Sequence, residues 1–164
     1  MGKMIQWQAL PQNLDELKAL PEADMKSPEK TAALTIAALC VYPSDKEECF
    51  RMLDHLRGPR PLSPMDKQFI RDRFMDTDYV PRSYFKGAAP DNDYKPDVPY
   101  TLEFTDSTAQ MADQGYHTLL VRSGGADSPR QITLRNKPST GEWFLWEQML
   151  LAGIRTPQSA DPWA

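Results

Sequence analysis

Ser123-Gly124-Gly125-Ala126-Asp127-Ser128-Pro129-Arg130 separates two strand-like runs and decides the fold of this chain. The runs on either side, residues 116–122 and 131–136, combine aromatic, β-branched and other apolar residues. A third run, Glu142-Trp143-Phe144-Leu145-Trp146-Glu147, is dense in aromatic residues. Runs of this kind, bounded by clusters of Gly, Asp, Ser and Pro, are typical of strands joined by turns. The pattern therefore predicts an antiparallel sheet towards the C-terminal end.

Further strand and helix signals lie upstream. Apolar and polar residues alternate over residues 100–105, which predicts a strand with one face towards solvent. Helix starts are predicted at Ser27-Pro28, Ser44-Asp45 and Ser63-Pro64, because Ser and Asp cap free amides and Pro is tolerated in the first turn. The predicted fold class is α+β, with N-terminal helices packed on a C-terminal twisted antiparallel sheet or half-barrel of about four to six strands.

Two elements have a more specific expected position. The first predicted helix has almost no polar face, so we expect it to be central. The last strand carries bulky residues on both faces, so it is either central in the sheet or covered by the helices.

The length of 164 residues suits one domain, with or without an appended segment. Residues 1–26 are predicted to form an N-terminal arm with a short helix capped by Asn13, and residues 27–164 a single α+β domain. Residues 76–99 lose the helical pattern and form a connection longer than usual. This connection is rich in aromatic residues, which favours a packed loop, and a functional role for it stays open.

Composition excludes several classes of protein. The formal net charge is −4, so a nucleic-acid partner is not expected. The N-terminus lacks a signal peptide, and no stretch approaches the roughly 20 apolar residues of a membrane span. A cytoplasmic location without a membrane partner is therefore expected. Residues 76–113 carry eight acids and three bases, whereas residues 122–137 carry four bases and one acid, which we interpret mainly as solvated surface.

The segments Ser123–Arg130 and Trp143–Glu147 resemble an uncharacterised family of Gram-positive, often gut-associated, bacterial proteins. The resemblance covers roughly residues 27–164, and its shorter stretches are Glu48-Cys49-Phe50, Gly58–Ser63, Pro81–Phe85 and residues 161–164. It implies a domain of unknown function, with no catalytic residue to transfer. It also implies that the conspicuous loops belong to the domain itself.

The loop between the first two runs is the best candidate site. Its two glycines would let backbone N–H groups form an anion-binding concavity, and the arginines at its edges would grip a carboxylate or phosphate. The alternative is a plain strand connection in which Asp127 caps the turn and the arginines pair with acids of residues 76–113, and ordinary turn chemistry favours it. The predicted ligand-binding residues are Arg122, Gly124, Gly125, Asp127, Arg130 and Trp146.

Two other segments have competing interpretations. Trp143, Phe144 and Trp146 are either the floor of a ligand groove or core residues, and we expect at least two of them to be core. The proline-rich residues 57–64 resemble a recognition peptide, but a rigid link between two helices explains them better.

Signals for catalysis, metals and cofactors are weak, and none of the three is predicted. Cys40 and Cys49 are expected to be free, buried thiols, and neither has a family signature with His55 or His117. Asp91-Asn92-Asp93 lacks the glycine and the glutamate of a calcium loop. Two histidines without a Cys-x-x-Cys pair offer few ligands for zinc.

The leading functional hypothesis is a non-catalytic binding or protein-interaction module, with an unknown protein or a small anionic or peptide ligand as partner. The alternative is a small enzyme with an acidic cleft between helices and sheet, in which acids of residues 76–113 converge with each other or with His117. A purely structural accessory domain is a third reading. The oligomeric state is not predicted.

Overall fold

The computed structural model describes residues 3–107 and 114–163. Asp113 of the predicted acidic segment, residues 1–2 of the predicted arm and Ala164 of the predicted domain lie outside the described residues. The helices lie in the N-terminal half, and four of the five strands of an antiparallel half-barrel sheet follow them, so the predicted α+β class is confirmed.

Four α-helices are present among the described residues: α1 (Leu14–Lys18), α2 (Pro28–Leu39), α3 (Lys46–Arg57) and α4 (Pro64–Phe74). The three predicted helix starts are confirmed by α2, α3 and α4. Each begins at a side chain that accepts a backbone N–H, namely Asn13, Ser27, Asp45 and Ser63. The cap of α3 is Asp45 and not Ser44, because the carboxylate accepts from Glu48 N. None of the helices within the described residues is long and apolar enough to cross a membrane.

Helix α2 is the centre of the core, as its sequence predicts. Every residue from Thr31 to Leu39 is buried. Its two threonines are satisfied in the apolar interior, because Thr35 Oγ1 donates to Thr31 O at 2.8 Å and Thr31 Oγ1 donates to Trp143 O at 2.6 Å. The second of these bonds ties the helix directly to the last strand.

The sheet is a five-stranded antiparallel meander in chain order: β1 (Lys3–Trp7), β2 (Tyr100–Asp106), β3 (Tyr116–Val121), β4 (Arg130–Lys137) and β5 (Glu142–Gln148). Strand β5 is an edge strand that contacts α2 and α3. It is therefore covered by helices, and the alternative of a central strand is wrong. A register shift at Thr133/Leu134 interrupts the pairing of β4 with β5 opposite Trp146.

Alternation along the strands separates two faces of the sheet. Leu119, Leu134 and Leu145 are buried on the face towards the helices. Tyr116 and Arg135 are paired in register on the opposite face, because neighbouring residues of a strand point in opposite directions. Each face carries one cluster of side chains with a possible function: Trp146 and its neighbours on the face of Arg135, and Glu29, Asp106 and His117 on the face towards the helices.

Residues 3–26 belong to the same sheet and core as the rest of the described chain, although sequence analysis treats them as an arm. Strand β1 pairs with β2 from Lys3↔Phe104 to Trp7↔Tyr100. Trp7 Nε1 donates to Glu22 Oε1 at 2.7 Å, and Leu17 and Met25 are buried. The apolar residues of this segment thus find a groove beside α2 and α3.

Residues 76–99 form a packed loop, as their aromatic content predicts. Tyr79, Tyr84, Phe85 and Tyr94 are buried. The Tyr79 and Tyr94 rings stack with their centroids 5.3 Å apart. Burial of these rings explains how a connection with little regular structure holds one conformation.

Candidate functional site

The diglycine turn, residues 123–130, packs closely against the loop before β2. A Cβ on Gly124 would lie 1.9 Å from Ala88 O, and one on Gly125 would lie 2.1 Å from Tyr94 Oη. Gly124 N donates to Ser83 O at 2.9 Å, and Gly125 N donates to Ser123 Oγ at 3.0 Å. Both N–H groups that an anion-binding concavity needs are therefore used inside the protein.

The Arg130 guanidinium is also used internally. Its Nε donates to Ala152 O at 3.1 Å and its Nη2 to Gly153 O at 3.0 Å. Its Nη1 donates to the carbonyl and the hydroxyl of Ser128, at 3.0 and 3.2 Å. The first two bonds fasten the segment after β5 to the turn, the other two stay within the turn, and together they occupy all three guanidinium nitrogens.

Two other predicted site residues, Asp127 in the turn and Arg122 just before it, lie at the surface. Asp127 forms an ion pair with Arg155 in which the two side chains are 91% and 52% exposed. Arg122 is exposed, makes no hydrogen bond or ion pair with any described residue, and lines a shallow cleft of about 310 Å³ with Lys86 and Gly124. Within residues 3–107 and 114–163, no arginine of the turn is paired with an acid of the 76–113 segment.

The six predicted site residues thus do not meet in one place. Trp146 lies in a different cleft from Arg122 and Gly124, while Gly125 and Arg130 make internal contacts. Ligand binding by the turn stays a prediction. The geometry directs attention to the cleft that contains Trp146.

That cleft, here the arginine–tryptophan cleft, has a volume of about 520 Å³ and lies between the α3–α4 link and strands β4 and β5. The residues that line it are Arg57, Pro59, Arg60, Arg135, Asn136, Lys137, Pro138, Phe144, Leu145 and Trp146. Four of these side chains are cationic, and none of the lining residues within the described chain is acidic. The chain as a whole is negative, so the cleft concentrates positive charge against the overall balance.

The α3–α4 link reaches β5 because α3 ends at a glycine. Gly58 has a φ of 61°, a conformation that residues with a Cβ rarely adopt. A Cβ there would lie 2.5 Å from Phe144 Cδ1, so only glycine lets the link lie flat on this ring. Arg57 Nε then donates to Arg60 O at 2.9 Å, and an Arg57 Nη2–Asp66 Oδ2 ion pair of 3.3 Å anchors the arginine to α4.

Trp146 is the aromatic centre of the cleft. Arg60 Cζ lies 3.9 Å from the centroid of its ring, and Arg135 Cζ lies 5.0 Å from it. The Tyr116 ring meets the indole edge to face at 5.2 Å, and Arg135 Nη1 donates to Tyr116 Oη at 2.9 Å. Arg60 also donates to the Trp146 carbonyl at the free edge of β5. Stacking on aromatic rings orients a guanidinium while leaving N–H groups for an anion.

Like charges crowd the floor of the cleft. Burial lowers the pKa of the Arg57 guanidinium, and the positive charge of Arg60 lowers it further. Asp66 and Asp54 oppose this shift. An anion in the cleft would relieve the repulsion between the arginines.

Sequence analysis found Trp146 but missed Arg57, Arg60 and Arg135 as its neighbours. A signal exists for the first two, since Arg57 and Arg60 flank the Gly-Pro pair of the link. No local sequence pattern connects Arg57 and Arg60 to Trp146, which lies 86 residues after Arg60. Trp143 and Phe144 are only half-buried and pack against the edge of the core, so the expectation that at least two of the three late aromatic residues are core residues is not met.

The two cysteines are free thiols. Cys49 is buried, as predicted, whereas Cys40 is only half-buried. Burial raises the pKa of the Cys40 thiol to about 12 and also raises that of Cys49. The nucleophilic thiolate is therefore scarce at neutral pH.

Comparison with known proteins assigns the chain to a protein family. The family described as "Domain of unknown function (DUF6935)" matches residues 9–158. The chain belongs to this family. No curated protein and no solved structure matches the chain. Membership agrees with the expectation of an uncharacterised domain family, while a Gram-positive bacterial origin stays a prediction.

This DUF6935 domain has a second cluster of polar side chains, on the helix-facing side of the sheet. Glu29 of α2, Asp106 of β2 and His117 of β3 place ligand atoms within 4.8 Å of one another. They line a cavity of about 270 Å³ with Lys3, Phe104 and other residues. The alternative enzyme hypothesis expects acids of residues 76–113 to converge with each other or with His117 in a deep cleft between helices and sheet. Asp106 lies beside His117 but is 60% exposed, and the hypothesis stays a prediction.

Proposed function

We propose that this DUF6935 protein is a non-catalytic binding module that takes a small organic anion into the arginine–tryptophan cleft. The observation that carries the proposal is the lining of that cleft: four cationic side chains and Trp146, with no acidic residue among the residues that line it, and with Arg60 and Arg135 over the Trp146 ring. Its volume of about 520 Å³ is in the range of about 300–1,000 Å³ that is usual for small-molecule pockets.

The chemistry of the lining suggests an anion with a flat apolar part. The Trp146 and Phe144 rings offer apolar surface, and the guanidinium groups of Arg60 and Arg135 offer N–H donors beside it. Guanidinium groups bind carboxylates and phosphates through paired, charge-assisted hydrogen bonds. A carboxylate or phosphate on a planar body therefore matches both features at once.

Rigid support favours binding over catalysis at this cleft. The link is fixed by Gly58 against Phe144, and Arg135 is held by Tyr116. The residues that line the cleft supply cations, an amide, prolines and apolar side chains, none of which is a ready general base at neutral pH. The finer assignments of sequence analysis, a bacterial and cytoplasmic protein, stay predictions beside this proposal.

Phenyl phosphate is the probe that tests the proposal, because it joins a flat ring to an anionic group. A titration of ¹⁵N-labelled protein would follow the indole N–H resonances of the four tryptophans, with Trp146 assigned through Trp146→Phe. We expect a saturable shift of the Trp146 signal, and no comparable shift for the exposed Trp163. Phenol lacks the charge and inorganic phosphate lacks the ring, so both should bind at least tenfold more weakly.

Charge-neutral variants locate the site. Arg135→Gln should weaken phenyl phosphate binding about tenfold, which corresponds to about 1.4 kcal/mol. Arg122→Gln makes the same chemical change at an exposed arginine outside the cleft and should alter affinity less than twofold. Absence of a saturable Trp146 shift, or an equal loss in both variants, would contradict the proposal.

A further inference from the structure

We propose that Glu29, Asp106 and His117 form a binding site for a divalent transition-metal ion such as Zn²⁺. The three residues come from α2, β2 and β3, and their ligand atoms lie within 4.8 Å of one another. The site is on the opposite face of the sheet from the Arg135–Tyr116 pair, so it is independent of the proposed anion binding.

The donor set suits such an ion. His117 Nε2 and Asp106 Oδ1 are already 2.8 Å apart. Zinc–ligand distances of about 2.0–2.2 Å place two donors of one ion roughly 3.0–3.6 Å from each other. The three ligand atoms lie within 4.8 Å of one another, so the Asp106 and Glu29 side chains would have to rotate to bring all three donors to one ion. An imidazole nitrogen selects for Zn²⁺ and its neighbours over Mg²⁺ or Ca²⁺, which prefer oxygen ligands only.

Glu29 is the buried acid of the cluster, and the cation now beside it is Lys3. Its residue is only 5% exposed, and its Oε1 accepts no hydrogen bond from the described residues. A buried carboxylate oxygen without a hydrogen-bond donor is costly unless a cation compensates it. Lys3 Nζ lies 3.0 Å from Oε1, in an ion pair that does not have hydrogen-bond geometry.

Lys3 lies where its ammonium group would compete with a metal ion for the Glu29 carboxylate. Its side chain is 67% exposed and lies in the edge strand β1, so it can move into solvent without disturbing the core. The ammonium group neutralises one of the two carboxylates of the cluster. A divalent ion would replace it with twice the charge and with directed bonds to three donors.

The walls of the cavity support a preorganised site. Phe104 and Leu119 are each 1% exposed and form an apolar wall, which strengthens the attraction between a cation and the carboxylates. The Trp143 ring lies edge-on to the His117 ring at 6.0 Å and limits its rotation. Glu29 lies in the first turn of α2, at the positive end of the helix dipole.

Calorimetric titration of the full chain with ZnCl₂ near pH 7 tests the site. The wild-type protein should bind one equivalent. Glu29→Gln and His117→Gln should each weaken binding by at least about 10- to 100-fold, the range typical for the loss of an outer-shell partner alone. His55→Gln removes the other histidine of the chain as the matched control and should change affinity less than twofold. Lys3→Met should strengthen binding, because it removes the competing ammonium.

Folding must be separated from binding in these variants. Asp106→Asn tests the same site with little risk to the core, because the Asp106 side chain is 60% exposed. Zn²⁺ should raise the melting temperature of the wild type and of His55→Gln, and not that of His117→Gln. Failure to bind Zn²⁺ saturably below about 100 μM, or binding that survives Asp106→Asn and His117→Gln unchanged, would overturn the proposal.

Discussion

The diglycine turn and the arginine–tryptophan cleft both place arginines at the rim of the sheet, but they use them differently. In the turn, Arg130 donates to backbone carbonyls and a serine hydroxyl, and both glycine N–H groups already have acceptors. In the cleft, Arg60 and Arg135 lie beside Trp146 and line open space. Residue type alone therefore does not identify a binding site, because the decisive property is whether the donors are already satisfied.

The largest expected effect tests whether the close packing of Gly124 against Ala88 stabilises the protein. Gly124→Ala should lower the free energy of unfolding by about 2–3 kcal/mol, because the new Cβ would overlap the carbonyl of Ala88. Urea denaturation followed by circular dichroism measures this loss. Gly115→Ala is the control: no described residue lies within 4 Å of its added Cβ, and its φ of 84° opposes alanine by about 1 kcal/mol. Equal losses in the two variants would show that the close approach at Gly124 is unimportant.

Arg130 and Arg135 should have opposite effects: loss of Arg130 should lower stability, and loss of Arg135 should lower ligand affinity. Arg130→Met should lower the free energy of unfolding by about 2 kcal/mol, because four hydrogen bonds from a charged group are lost. It should leave the affinity for phenyl phosphate within twofold of wild type. Arg135→Gln should do the reverse, with less than about 1 kcal/mol lost, since its stacking partners are at the surface. If Arg130→Met instead abolished binding with stability intact, the turn would be the anion site.

The smallest effect is expected at the surface ion pair of the turn. Asp127→Asn should change the free energy of unfolding by less than about 0.5 kcal/mol, because Asp127 and Arg155 are both mostly exposed. Chemical denaturation at low and high salt measures it, with wild type as reference. A loss above about 1 kcal/mol would mean that this pair, and not the glycines and Arg130, holds the turn.

Local signals were enough for most of the fold. Capping residues before α2 and α4 and apolar alternation in β2 and β4 predict those elements close to their observed bounds. The strand β1 was missed, because five residues at a chain end carry little pattern of their own. Its stability comes from pairing with β2, which lies almost a hundred residues further along the chain.

The candidate sites were much less predictable than the fold. Trp146 was singled out, but the link residues that stack on it, such as Arg60, were interpreted as a connection only. The Glu29 carboxylate gave no signal at all, because a single acid in the first turn of a helix is ordinary. It becomes notable only when Asp106 and His117 are seen beside it.

The sequence by itself determined the order of helices α1 to α4 and strands β2 to β5, the central place of α2 and the packed character of residues 76–99. These properties follow from short-range periodicity, capping and composition. The tertiary structure alone decided which polar groups remain available, because donors such as the Gly124 N–H and Arg130 are satisfied by distant carbonyls. It also decided which charges meet, because an α3–α4 link and β5, or α2 and two strands, become neighbours only when the sheet folds against the helices.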